Sequence, residues 1–409
     1  MRGGVTAAGL ASLVVAALFG GAMTLPVGAS GPERPAGDYI VVLTDGIDAS
    51  ATASEHARLH GAKVGHVYRH ALRGYSAHLS ATAVARTAAD RRVAAVQPDG
   101  IVTTTAQTVA TGIDRVDAEA SPTAGIDGVD TRVDVDVAVL DTGVDLRHPD
   151  LNVLRSRGRN CSTGRGIDDG NGHGTHVAGI IGAVDNNVGV VGVAPGARIW
   201  PIRVLDASGN GNVSDVICGI DYVTQHASKI EVANMSLGGV GADSTCGSNT
   251  DAYHEAICAS VAAGVTYVVA AGNFGSDAGR IVPATYEEVI TVSALADFDG
   301  QPGGTGGATC RFDVDDTLAD FSNFGADIDL IAPGVCILST WPGGGYNTIS
   351  GTSMASPHVA GGAALYTATH PNASSAGVKA ALQAAGTTDW NNADDPDGIK
   401  ENLLNVAAF

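Results

Sequence analysis

The chain reads as an α/β protein: a mainly parallel sheet with helices on both faces, preceded by a small ferredoxin-like α+β domain. From residue 133 onward, apolar strand-like runs alternate with helix-compatible segments, the order that specifies a parallel sheet covered on both sides. Between residues 38 and 99 the order is β-α-β-β-α-β, the split motif of ferredoxin-like domains. A charge step separates the two parts. Residues 30–105 carry 8 Lys+Arg and 7 Asp+Glu, whereas residues 106–409 carry 14 and 36.

The elements of the first part follow in order. Asp38–Leu43 is a strand-like run and Ala51–Gly61 is helix-compatible. Val64–Tyr68 and Gly74–Leu79 read as strands, Ala81–Ala89 as a short helix and Val93–Asp99 as a last strand. The threonine-rich stretch from Val102 to Thr108 then reads as an extended linker, where a domain boundary and a cleavage point are expected.

Beyond the linker, Val133–Leu140 passes from alternation into a continuous apolar run, as a strand entering a covered sheet does, and ends at Asp141-Thr142-Gly143. Asn171-Gly172-His173-Gly174-Thr175-His176 leads into an apolar helix over Val177–Val184. Ala197–Leu205 is a strand. Ser214 is the expected cap of a helix carrying Val216, Ile217, Ile220 and Val223 at helical spacing. Ile230–Leu237 is the next strand, and Asp251–Ala263 is a helix stopped by Gly264. Val265–Ala271 is a buried strand ending at Gly272-Asn273, followed by Val289–Ala294. Gly351-Thr352-Ser353 opens a buried helix, with Pro357 expected in its first turn.

Composition narrows the function. The chain has 409 residues, 44% hydrophobic and 16% charged with 55 glycines, so it is globular. A net charge of −20 argues against nucleic acid, which wants a basic face. Residues 1–29 read as a secretory signal: Arg2 opens it, Leu10–Met23 is apolar and small, and Val27-Gly28-Ala29 is a small-x-small cleavage site. That run is too short and glycine-rich for a transmembrane helix, and the expectation is an exported protein with no membrane partner. The six cysteines then serve as disulfide staples, with 15 possible pairings. Cys246–Cys258 and Cys310–Cys336 are expected, each pair flanking a surface excursion, which leaves Cys161 with Cys218.

A chemical need unites three distant segments. A serine hydroxyl is a weak nucleophile until an imidazole takes its proton, and a carboxylate must hold that imidazole in one tautomer. Asp141, His173 and Ser353 supply these groups. Ser353 at a helix start gains from the unpaired N–H groups and the positive end of the dipole. Attack on a carbonyl needs donors for the developing oxyanion, and Asn273 at a strand end supplies one.

Val139–Asp145, His173–Gly179 and Gly351–Pro357 resemble the three active-site blocks of the subtilisin-like serine proteases, and the region before about residue 105 resembles their inhibitory prodomain. The resemblance implies residues 1–29 as signal peptide, 30–105 as prodomain and 106–409 as catalytic domain. By position, it makes Ser353 the nucleophile, His173 the general base and then acid, and Asp141 the orienting carboxylate. Asn273 would share the oxyanion hole with the Ser353 backbone N–H. Asn234–Gly239 resembles the segment that pairs with substrate backbone, placing Ser236, Leu237 and Gly238 beside the substrate.

The expected activity is therefore that of a secreted, self-processing serine endopeptidase. Its partners are polypeptide substrates and its own prodomain, and it is expected to be a monomer. His173 and His176 stand at H-x-x-H, but a helical zinc pair wants i, i+4, so His176 and His358 are expected to be packed neighbours of the site. Family members with a tight calcium site carry a loop one residue longer than Asp185–Val190, although Asp150 stands at a ligand position. No cofactor is expected, a structural calcium near Asp150 being the alternative. An inactive paralogue would have lost a catalytic residue, and none is missing. A metallohydrolase built on His173 and His176 would be abolished by a strong chelator.

Overall fold

The computed structural model describes residues 36–99 and 107–409, which fall into two compact units. The expected signal peptide and most of the expected linker lie outside the described residues.

In the first unit β1 (Gly37–Leu43), α1 (Ala49–His60), β2 (Lys63–Tyr68), β3 (Gly74–Leu79), α2 (Ala81–Ala88) and β4 (Val93–Pro98) build an antiparallel sheet in the order β2-β3-β1-β4. Each helix has a local reason to start. Asp48 accepts the N–H groups of Ser50 and Ala51 at α1, and Ser80 accepts that of Ala83 at α2. Gly61, at φ 69°, ends α1 in the left-handed region. Tyr39, Val41, Tyr75 and Leu79 form the core between sheet and helices.

The second unit runs α3 (Thr111–Arg115), β5 (Asp136–Asp141), β6 (Arg159–Asn160), α4 (His173–Gly182), β7 (Arg198–Arg203) and α5 (Val213–Gln225). It continues through β8 (Val232–Met235), β9 (Gly239–Val240), α6 (Ala252–Ala262), β10 (Thr266–Ala270), β11 (Ile281–Val282) and β12 (Ile290–Ala296). It ends with β13 (Thr317–Leu318), β14 (Leu330–Pro333), β15 (Ile337–Trp341), β16 (Gly345–Ile349), α7 (Thr352–Thr369) and α8 (Ser375–Ala385). The large sheet has the order β6-β7-β5-β8-β10-β12, with β13 and β14 both pairing β12. Every pair is parallel except β12–β13. Val137 and Val139 of β5 pack into one core with α4 and α7, while Ala138 and Leu140 pack into the other with α5 and α6. A strand buried on both faces needs the unbroken apolar run that the sequence shows.

Several local expectations are corrected. The strand begins at Asp136, not Val133, and α4 begins at His173, four residues before the expected Val177. The cap of α5 is Asn212, whose N–H bonds Asp215 Oδ2 at 3.0 Å; Ser214 lies inside the helix. Pro357 is the sixth residue of α7, past its first turn. The β15–β16 hairpin was not anticipated. The disulfides are Cys161–Cys218, Cys246–Cys258 and Cys310–Cys336, as expected from their placement. Arg115, buried at the end of α3, ties the start of this unit to its later part through Asp297 (3.0 Å), Asp316 (3.1 Å) and Asp389 (3.4 Å).

Candidate active site

The chain order reverses at β5, which lies between β7 and β8. In open α/β sheets the crevice beyond the carboxyl ends at such a point is where ligands bind. The adjacent strands β5, β8 and β10 end there, and Asp141, Ser236 and Asn273 stand at or just beyond their last residues.

Asp141 is fully buried, and its two oxygens face His173 Nδ1 at 2.8 and 2.9 Å. His173 reaches this position because α4 starts on it, and Asp169 secures that start. One Asp169 oxygen takes the N–H of Gly172 and the hydroxyl of Thr142 (both 2.9 Å), while the other takes the N–H and hydroxyl of Thr175. The helix end can approach β5 only because residue 174 is glycine. A Cβ there would lie 2.1 Å from the Gly143 carbonyl oxygen and 3.0 Å from Asp141 Cβ. The His173 side chain remains 26% exposed, and its Nε2 has no hydrogen-bond partner among the described residues.

Ser353 is the second residue of α7 and is half-buried. Its Oγ donates to the Ser236 carbonyl at 3.3 Å, and no hydrogen bond joins it to His173. Such bonds tighten in the substrate complex, so an open one is normal in an unliganded site. Pro357 has no N–H to offer the Ser353 carbonyl four residues back, and Ser236 Oγ takes that place, donating at 2.8 Å. The proline thus ties the helix start to the end of β8.

Asn273 is held in one orientation. Its Oδ1 accepts the N–H (2.8 Å) and the hydroxyl (2.9 Å) of Thr352, whose own Oγ1 accepts the N–H of Gly272. The amide nitrogen keeps both hydrogens unengaged among the described residues. A Cβ built on Gly351 would lie 3.6 Å from Asn273 Nδ2 and 3.6 Å from the Ser353 nitrogen, so two donors converge on one small space.

Electrostatics separates the histidines. Burial pulls the His173 imidazolium down, but the charge and hydrogen bond of Asp141, with a smaller pull from Asp169, outweigh it and hold the group above its usual 6.5. His176 and His358 are pushed down to about 4 by burial. His176 Nε2 faces the carbonyls of Ile337 and Asn347, while His358 Nδ1 faces that of Met354. His173 points to Asp141 and His176 to the hairpin, so the two imidazoles do not face a common point.

A cleft of about 520 Å³ opens beside His173, walled by Leu205, Val216, Leu237, Val240 and Tyr253. Leu237 and Gly238, between β8 and β9, leave their backbone N–H groups unpaired among the described residues. An extended peptide can add there as a strand.

The chain is similar to known proteins over most of its length. Residues 133–399 match the model of the subtilase family, and residues 38–105 match that of the peptidase inhibitor I9 family. Subtilisin DY of Bacillus licheniformis is 38% identical over 307 residues, 74% of this chain and 99% of that protein. An extracellular serine proteinase of Thermus sp. (strain Rt41A) is 38% identical over 87% of this chain and 86% of its own. The crystal structure of a cold adapted subtilisin-like serine proteinase superposes with a TM-score of 0.58 at 36% identity, covering 74% of this chain and 99% of that one.

The chain belongs to the subtilase family.

It is thus a subtilisin-like serine peptidase with an I9-type prodomain. In this subtilase the loop near Asp150 is closed by its own donors. Asp150 accepts Asn186 Nδ2 on Oδ1 (2.9 Å), and the Val190 N–H (3.0 Å) and Tyr346 hydroxyl (3.2 Å) on Oδ2. Gln107 Oε1 accepts the N–H groups of Asn186 and Asn187, and Gln107 Nε2 donates to Asp185 at 2.7 Å. These side-chain oxygens are spent on protein donors, so the set does not fit a calcium ion, which wants six to eight free oxygens. Among the described residues no helix is long and apolar enough to cross a membrane.

Sequence reasoning passed over Asp169 and Thr352. The only signal for Asp169 was an acidic residue shortly before a helix of small residues. Thr352 had none beyond its place next to Ser353.

Proposed function

We propose that this subtilase is an exported endopeptidase that hydrolyses peptide bonds through an acyl-enzyme on Ser353. The observation that carries this reading is the meeting of three groups at neighbouring strand ends: the Asp141–His173 pair, Ser353 at a helix start, and the unengaged amide of Asn273. A substrate backbone would extend along Ser236–Gly238 and place an apolar side chain in the cleft. His173 Nε2 would take the Ser353 proton as Oγ attacks, then return it to the leaving amine, with Asp141 stabilising the imidazolium between the steps. The Ser353 N–H and Asn273 Nδ2 would receive the oxyanion. No metal takes part in this reading.

The rate at which a fluorophosphonate labels Ser353 tests the assignment. Attack needs neutral His173, whose pKa is raised, so reactivity is lost as pH falls through a value above 6.5. Labelling should rise along that limb, survive a strong chelator, and leave the mass increment on the Ser353 peptide. An increment on another residue, or a chelator-sensitive rate, would overturn the reading.

Residues 30–105 would serve as the intramolecular inhibitor. A near-neutral domain facing a strongly acidic protease has little long-range attraction to use, so binding would rest on shape and strand pairing. Added in trans, this segment should inhibit the mature enzyme, with an inhibition constant that changes little between low and high salt. Undiminished activity at saturating prodomain would reduce the segment to a spacer.

A further inference from the structure

Away from this site, the loop from Gly241 returns to α6 through the Cys246–Cys258 bridge. His254, in the first turn of α6, is 1% exposed, and its Nε2 faces Glu288 Oε2 at 2.6 Å. Glu288 Oε1 lies 2.8 Å from Cys246 Sγ. A disulfide sulfur carries no hydrogen, so this contact brings together two atoms that have only lone pairs to offer. One ligand atom each from Cys246, His254, Cys258 and Glu288 lies within 4.8 Å of all the others. A tetrahedral zinc shell, with bonds of about 2.3 Å to sulfur and 2.0–2.1 Å to nitrogen and oxygen, has edges of about 3.3–3.8 Å. In the bridged form the two sulfurs are bonded to each other, and Glu288 lies 2.6 Å from His254 and 2.8 Å from Cys246, inside those edges. Opening the bridge lets the four atoms spread outward to the shell.

The surroundings hold the histidine as metal-binding histidines are held. His254 Nδ1 faces Ser244 Oγ at 2.8 Å, and the ring stacks flat on Tyr286 at 4.0 Å with a 5° tilt. Tyr286 is anchored in turn, its hydroxyl donating to Asp251 at 2.6 Å. Nε2 can donate to Glu288 in the metal-free corner. With an ion bound, a proton on Nδ1 given to Ser244 would leave the Nε2 lone pair for the metal, which is the usual role of a ligand's outer partner.

We infer that reduction of Cys246–Cys258 by a thiol converts this corner into a zinc site, made by the two cysteine thiolates, His254 Nε2 and a Glu288 oxygen. Two reductant thiols lose two electrons and become a disulfide, while the bridge gains them and becomes two cysteine thiols. Zinc then displaces the two thiol protons to solvent. Two sulfurs, one nitrogen and one oxygen suit zinc and exclude calcium or magnesium, which prefer all-oxygen shells. Four protein ligands leave no open position, so the ion is structural. It replaces the covalent staple between the 241–250 loop and α6, whose Tyr253 walls the substrate cleft.

The test uses the full chain carrying Ser353→Ala, so that it cannot digest itself. The protein is reduced with a dithiol, freed of reductant by gel filtration without air, and titrated with cobalt(II) and then zinc. One equivalent of cobalt should bind with a thiolate charge-transfer band that zinc bleaches, and zinc should raise the Tm of the reduced protein, because it binds the folded form. The oxidised protein should show neither effect. Cys246→Ser/Cys258→Ser should abolish the band, and Glu288→Gln should weaken binding at least tenfold. Glu288 lies 42 positions from Cys246, so thiols in an unfolded chain would be indifferent to it. Absence of the band in the reduced protein would overturn the inference. So would a band that survives Cys246→Ser/Cys258→Ser, or an affinity untouched by Glu288→Gln.

Discussion

Ser353→Ala is expected to yield a folded precursor with no measurable turnover. The structural cost of the change is small. Ser353 Oγ makes a single hydrogen bond, to the Ser236 carbonyl at 3.3 Å, worth about 1 kcal/mol at most. The α7 start keeps its tie through Ser236 Oγ and the Ser353 carbonyl, which alanine retains. The chemical cost is the whole covalent route, about 10⁶ in kcat, the size of loss known for subtilisins. His173→Ala should cost about as much, and adding it to Ser353→Ala little more, because the groups act as a unit. The junction to residues 30–105 should also stay uncut, leaving a chain about 75 residues longer than the mature form. Purified protein, its fold checked by near-ultraviolet circular dichroism, is assayed on a chromogenic peptide. Near-wild-type turnover would sink the assignment of Ser353.

Asn273→Leu is expected to lower kcat by about 10²–10³ with little change in KM, the loss known when a subtilisin loses one oxyanion donor. The side chains are nearly the same size, so packing is preserved. Leucine also gives up the two bonds by which Thr352 holds residue 273, a stability cost of about 1–3 kcal/mol. Asn273→Asp separates the two effects. It keeps Oδ1 for Thr352 but offers no donor and brings a negative charge towards the oxyanion. If the donor is what matters, aspartate should be as slow as leucine, though more stable than it. An unchanged kcat in either variant would make Asn273 a turn residue and leave the Ser353 N–H as the only donor assigned to the oxyanion.

Much of this was legible along the chain because it is local. The run before Asp141 had to be a buried strand, since Val137 and Val139 go into one core and Ala138 and Leu140 into the other. The split order of the first unit followed from alternating patterns and turn residues, and its sheet order is the one that motif implies. The β15–β16 hairpin escaped because Ser339-Thr340 and Tyr346-Asn347-Thr348 are too polar for an apolar alternation. Ser339 and Thr340 are polar because the hairpin packs along the side of α4, where they donate to the His176 and Thr175 carbonyls. Ser214 was mistaken for a cap because Asn212, two residues earlier, offers an equivalent side chain and finds Asp215 in reach.

The sequence by itself determined which chemical groups are present and which of them end strands or open helices. Only the tertiary structure decided that residues 141, 236 and 273 stand side by side, because strand order is set by hydrogen bonds between distant segments and leaves no local trace. It alone aimed the amide of Asn273, since the orientation comes from Thr352, 79 positions away. It also decided the meaning of Pro357. A proline in a helix reads as a break, yet here the carbonyl it releases is taken by Ser236, 117 positions away, and the start of α7 is thereby tied to the end of β8.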